Sequence, residues 1–140
     1  CPGYWTFIER EHARGTLFSI KAVGDELRKG NDELARWART RGSSFFLPMD
    51  TVASGSMSGI NAWVQSFGFT DAAVADYFRS ADQFLVAYAL AHDHTIVTHE
   101  VFDPHRRSRV KIPAVCKQFA VPWMRTYDWL REQGAAFILP

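Results

Sequence analysis

Apolar residues recur along this chain with a helical period in some stretches and as short strand-like runs in others, and the two alternate. After Pro2, Tyr4, Trp5, Ile8 and His12 fall at helical spacing and Gly15 closes the segment, predicting a helix of about three turns. Thr16 to Ile20 is a short β-prone run. Ala22 to Lys29 returns to the helical period, with Val23 and Leu27 on one side and Gly30 as its stop. Asn31 is the expected cap of the next helix, Asp32 to Arg39, which directs Leu34 and Trp37 to the core. Phe45 to Leu47 reads as a buried strand ended by Pro48, and the Ser/Gly-rich stretch Ser54 to Gly59 as a loop. Ile60, Trp63, Val64 and Phe67 mark a helix, and Thr70 caps a shorter one through Phe78. Ser80 followed by Gln83 is a capping-box signature, placing Asp82 in the first turn of a helix that continues through Phe84, Leu85, Ala87, Tyr88 and Ala89. Thr95 to Glu100 then reads as a strand, Ile112 to Phe119 as a helix, Val121 to Met124 as a strand, and Thr126 to Gly134 as a final helix. Strands alternating with helices predict an α/β fold with parallel pairing.

Bulk composition narrows the class. The 140 residues fit one domain, which at this size buries roughly 68–70% of its unfolded surface. A hydrophobic share of 47%, with 11 Phe and 5 Trp, excludes a disordered tail. No apolar run approaches the ~20 residues of a membrane-spanning helix, so a soluble protein is expected. Lys and Arg outnumber Asp and Glu by 16 to 15. Overall charge therefore gives no general attraction to nucleic acid, and any basic surface must be local, as in Arg106, Arg107, Arg109 and Lys111. The two cysteines, Cys1 and Cys116, make neither a CxxC zinc element nor a disulfide framework, which favours a reducing cytoplasm. No methionine stands at position 1, and further sequence upstream is expected.

Chemistry concentrates in the acids. Glu26 lies on an early helix, Asp82 at a later helix start, and Thr98 and Glu100 two apart on a strand, hence on one face at its C-terminal end. Open α/β sheets place their sites there. Hydrolysing a phosphodiester needs a divalent cation to neutralise developing charge and lower the pKa of an attacking water, and Mg²⁺ prefers carboxylate oxygens. Each acid also has a purely structural reading. Asp82 can complement a helix dipole, Asp25 and Glu26 can form a solvated face, and Glu100 can pair with a nearby arginine. His99, Asp103 and His105 make a weaker zinc candidate, since His99-Glu100 begins like HExxH but position 103 is Asp. Cys116 falls within an apolar helical pattern and reads as a small core residue rather than an activated thiol. Most Trp and Phe positions read as core rather than as a base-stacking platform.

The segments AVGDEL, ADQFLVAYAL and TIVTHE, in that order, resemble the PIN-domain nucleases. KIPAVC followed by VPWMRTYDWL is similar to one branch of PIN-like bacterial proteins of unassigned function, related to toxin-antitoxin ribonucleases of the VapC type. The resemblance spans nearly the whole chain and rests on the order and spacing of segments rather than on any single motif. It implies a three-layer α/β/α sandwich around a parallel sheet. It also implies Mg²⁺ or Mn²⁺ held by acids that position water against an RNA phosphodiester. On these positions the family's acids fall on Glu26, Asp82 and Glu100, with Thr98 assisting and Asp103 a less secure neighbour. Arg106, Arg107, Arg109 and Lys111 are then the expected phosphate contacts. A small antitoxin protein and a homodimer are the implied partners.

The family opens with a hydrophobic strand ending in an Asp, which has no counterpart in this sequence. The expectation is that the natural protein extends upstream of Cys1, or that an apolar segment such as Ala135 to Leu139 takes the place of that strand. Three function classes follow: a metal-dependent endoribonuclease, a catalytically silent PIN-like module that binds protein or RNA, and a DNA-acting nuclease with the same metal chemistry.

Overall fold

Helix starts here are fixed by side chains that accept the otherwise unpaired N–H groups of a first turn. Asp32 accepts from the Ala35 N–H at 2.8 Å, Asp50 from Ala53 at 2.8 Å, and Thr70 from Ala73 at 3.1 Å. The computed structural model describes residues 2–133. In chain order the elements are α1 (Pro2–Ala13), β1 (Ser19–Ile20), α2 (Lys21–Arg28), α3 (Glu33–Arg39), β2 (Phe46–Leu47), α4 (Thr51–Gly55), α5 (Met57–Ser66), α6 (Asp71–Arg79), α7 (Asp82–His92), β3 (Ile96–Thr98), α8 (Ile112–Gln118), β4 (Trp123–Arg125) and α9 (Thr126–Glu132). The fold is mixed α/β, with two short parallel strand pairs, β1 with β2 and β3 with β4. The expected helix end at Gly134 and the segment Ala135 to Leu139 lie outside the described residues.

The chain gathers into two compact units, residues 2–48 with 127–133 and residues 49–126. In the first, β1 and β2 pair in the register Ser19 with Phe46 and Ile20 with Leu47. Aromatic rings fill this unit. Trp37 stacks on Trp5 with centroids 5.0 Å apart and meets Phe45 edge-on at 5.1 Å, while Phe7 meets Trp129 at 5.4 Å. Glu11 is buried, and its charge is satisfied by the Thr16 hydroxyl at 2.8 Å and the Arg14 guanidinium at 3.2 Å. Gly24 on α2 permits close approach of β2: a Cβ there would sit 2.8 Å from Cγ of Phe46.

In the second unit α7 is the centre. α4, α5, α6 and α8 all pack against it. Ile60, Val64, Val86, Ala87, Val115 and Cys116 are fully buried in the shared core. Both helices that lead into the strands end on a left-handed residue, Asp93 (φ 59°) after α7 and Ala120 (φ 56°) after α8. The His94 N–H then bonds back to the Ala89 carbonyl and the Val121 N–H to the Cys116 carbonyl, closing each helix before the chain turns into β3 or β4. These strands run parallel, with Ile96, Val97 and Thr98 opposite Trp123, Met124 and Arg125. Among the described residues no helix is long and apolar enough to cross a membrane.

Four local expectations are corrected. The α3 cap is Asp32 rather than Asn31. On that helix Ala35 and Ala38 are the fully buried positions, while Leu34 and Trp37 are half-buried, because small residues let α3 approach its neighbour closely. The stretch Ser54 to Gly59 is helical, shared between α4 and α5. The Asp50 cap and the packing of α4 on α7 outweigh the low helix propensity of Ser and Gly there. Finally, Ser80 and Gln83 do not form a capping box: the Ser80 hydroxyl accepts from the Asp82 N–H at 3.2 Å, and Gln83 donates back to the Phe78 carbonyl at 2.7 Å.

The Gly24 contact sets the sign of a substitution. Gly24→Ala gains up to ~1 kcal/mol of helix propensity, but forcing a methyl against the Phe46 ring costs ~1–3 kcal/mol. Chemical denaturation is expected to show net destabilisation of the variant, and a gain in stability would contradict the packing described for α2 and β2.

Candidate functional site

Asp82 and Glu100 both lie in the second unit, whereas Glu26 lies in the first, exposed on α2. Asp82 occupies the first turn of α7, where a carboxylate complements the helix dipole. β3 ends at Thr98, so Glu100 stands just beyond the strand rather than on it. Its position comes from a local turn: the Glu100 N–H donates to the Thr98 hydroxyl at 3.1 Å, and Thr98 itself is buried. The Glu100 carboxylate then reaches across the following loop. Oε2 accepts from the Ile112 N–H at 2.8 Å at the start of α8, and Oε1 accepts from Arg109 at 3.0 Å. One carboxylate thus ties the start of the 101–111 loop to its end.

Two buried ionisable groups, Tyr77 and Cys116, belong to the same unit. Burial pushes the Tyr77 hydroxyl well above its ordinary pKa, and the Asp82 carboxylate and the Cys116 thiol push it further. Burial likewise raises Cys116 to about 12, with Glu100 adding to the effect. The Tyr77 oxygen has no hydrogen-bond partner among the described residues. Of the three expected acids, the second unit holds two, Asp82 and Glu100. Among the described residues, no group of three or more His, Cys, Asp or Glu side chains is placed to hold a metal ion.

The basic residues divide. Arg109 serves Glu100, and Lys111 stands at the N-cap position of α8. Arg106 and Arg107 line a cleft of about 210 Å³ with Lys117 of α8. Its walls are aromatic: Trp63, Phe67, Phe69 and Phe102. The Arg107 guanidinium lies 4.5 Å over the Phe67 ring, and the Lys117 ammonium 4.6 Å over Phe102. Trp63 and Phe67 fall at the core spacing of a helix in the sequence, yet Phe67 is 43% exposed. The available signal was Gly68 (φ 109°), which turns the chain just after α5.

The histidines take other roles. His92 Nε2 lies 2.7 Å from Asp50 Oδ2, next to the cap of α4. His94 is held below its ordinary pKa, first by burial and then by the neighbouring His92. His99, Asp103 and His105 are all exposed, and Asp103 accepts from the His105 N–H at 3.1 Å, a turn within the loop.

A buried thiol with so high a pKa is inert. In a Cys1→Ser background, a thiol reagent at pH 8 is expected to leave the native protein unlabelled and to label it fully in denaturant. Fast labelling of the native protein would contradict the placement of Cys116.

The model of a domain of unknown function, DUF4411, matches residues 1–137. Comparison with curated proteins and with solved structures gives no match. With all but the last few positions matched, this chain belongs to the DUF4411 family.

Proposed function

We propose that this chain is a metal-dependent ribonuclease of the PIN-like toxin type, with Asp82 and Glu100 as acids of its site. The observation that supports this reading is the Glu100 carboxylate, oriented by Arg109 at 3.0 Å and the Ile112 N–H at 2.8 Å, in the same unit as Asp82 at the start of α7. In this reading the mixed α/β fold is of the PIN-like three-layer α/β/α type, and Glu26 is the further acid that the resemblance implies.

The donor set suits a hard cation. Mg²⁺ in phosphoryl-transfer sites is commonly held by one or two carboxylates together with substrate phosphate. Asp82 and Glu100 would hold Mg²⁺ or Mn²⁺, which supplies charge neutralisation and a more acidic bound water. Both Glu100 oxygens already accept a hydrogen bond, yet each keeps a second lone pair. Such bonds orient a ligating carboxylate rather than block it. The Ile112 N–H and Arg109 fix the direction of the carboxylate, and Thr98 fixes the backbone that carries it. Arg109 is exposed on its other side and offers a cation to an incoming phosphate. The cytoplasm, an antitoxin partner and a homodimer belong to the same proposal.

Two substitutions test it. In full-length protein, Asp82→Asn is expected to lower Mg²⁺- or Mn²⁺-dependent cleavage of single-stranded RNA by more than ~100-fold, the top of the range seen when only an outer partner of a metal ligand is lost. A folded variant that cuts at the normal rate would remove Asp82 from the mechanism. Glu100→Gln keeps an oxygen for Ile112 and loses an ion pair whose arginine is exposed but whose carboxylate is mostly buried, so it should cost about 1–3 kcal/mol of stability. If Glu100 only clasps the loop, cleavage survives this change; if it holds metal, cleavage is lost.

One observation favours a second reading, a binding module without catalysis: among the described residues no three ligating groups are placed for a metal. Mn²⁺ titration of the full-length protein separates the two, since saturable binding abolished by Asp82→Asn belongs only to the first.

A further inference from the structure

We propose that the aromatic cleft of the second unit receives one unpaired nucleobase of a single-stranded nucleic acid, with the adjoining phosphate held by Arg106, Arg107 and Lys117. This rests on the nuclease reading above and specifies how that site would hold its substrate.

Size argues first. At about 210 Å³ the cleft is smaller than the ~300–1,000 Å³ pockets that take drug-sized ligands, so it suits one flat ring rather than a helix or an extended peptide. Its walls suit a ring as well. Trp63 and Phe67 stack on each other with centroids 4.7 Å apart at 27°, and Phe69 meets Trp63 edge-on at 5.7 Å, so a cluster of rings lines the cleft. Base stacking on such side chains tolerates any sequence, because every base has a π face.

Charge argues next. Three cations and one acid, Asp103, line the cleft of a chain whose net charge is only +1. The Arg107 guanidinium is held over Phe67 and donates to the Pro104 carbonyl at 2.9 Å, so its position is fixed before any ligand arrives. Gln118 adds an amide that can both donate and accept at a base edge. An aromatic side chain of a protein partner would fill the walls but bring no anion. An acidic side chain would meet the cations but leave the rings wet. A base with its phosphate uses both sets at once.

Location completes the case. Phe102 follows Glu100 by two residues, so their Cα atoms are no more than ~7 Å apart. The loop carrying Phe102, Arg106 and Arg107 is the one that Glu100 closes through Arg109 and Ile112. A base seated in the cleft would therefore bring a neighbouring phosphodiester toward Glu100.

The test uses full-length protein and a short fluorescent single-stranded RNA in EDTA, so that binding is read without cleavage. Phe67→Ala is expected to weaken binding roughly tenfold or more. Phe67→Leu, which keeps apolar bulk without a π face, should weaken it nearly as much. Arg107→Ala should reduce the salt slope by about one. An RNA made abasic throughout, and a fully paired duplex, should each bind the wild type about as weakly as the RNA binds Phe67→Ala. Abasic RNA binding as tightly as intact RNA, Phe67→Ala binding like wild type, or Phe67→Leu restoring full affinity would each overturn the proposal. Cleavage with Mg²⁺ is followed in parallel. Metal-dependent cutting with binding insensitive to Phe67 overturns the cleft and leaves the nuclease reading standing. Binding lost in Phe67→Ala with no cutting in any divalent metal upholds the cleft and removes the nuclease.

Discussion

The second unit depends on one constraint: α7 is apolar around nearly its whole circumference, and a helix of that kind must be enclosed. α4, α5, α6 and α8 enclose it, and its alanines and Val86 let them come close. Everything of chemical interest in the unit is placed by that enclosure. The first turn of α7 carries Asp82, and its last residue hands the chain, through left-handed Asp93, into β3 and on to Glu100. α8 repeats the device through Ala120 and delivers β4 alongside β3 in parallel. Neither Asp93 nor Ala120 is glycine, so surrounding structure has to hold each in a conformation that L residues rarely adopt.

Electrostatics in the same unit is arranged around a dry centre. Tyr77 and Cys116 are buried without a charged partner that would favour ionisation, so both remain neutral, and the acids around them raise their pKa values further. Glu100 sits at the rim of this centre with a fifth of its side chain exposed. It bonds one backbone N–H from α8 and one exposed arginine, which keeps the carboxylate directed while leaving it reachable from solvent. The bland account of Glu100 as an arginine partner and the functional account as a ligand are thus compatible in geometry, because an orienting hydrogen bond and a metal bond use different lone pairs.

Much of the element order was legible in the sequence, since it follows from local rules. The helical spacing of Ile60, Val64 and their neighbours, the Thr70 cap, the Phe46 and Ile96 strands and the parallel pairing all arise from periodicity and capping that short windows contain. The Ser54 to Gly59 stretch was not legible, because its helicity comes from docking α4 on α7, a contact no window contains. Ser80 illustrates a third case. The right residues for a capping box are present, but Tyr77 and Phe78 at the end of α6 offer carbonyls that capture both side chains.

The candidate site divides along the same line. Sequence alone determined which residues carry charge and roughly where each falls: Asp82 in a first helical turn, Glu100 at the end of a strand run that the structure stops at Thr98, and a basic run from Arg106 to Lys111. Tertiary structure decided which of them meet. It turned Arg109 toward Glu100 and Arg106 and Arg107 toward a cleft, and it drew Trp63, Phe67, Phe69 and Phe102 into the walls of that cleft. The physical reason is that charge and periodicity are properties of a segment, whereas a cavity is what remains when several segments pack and cannot fill the space between them.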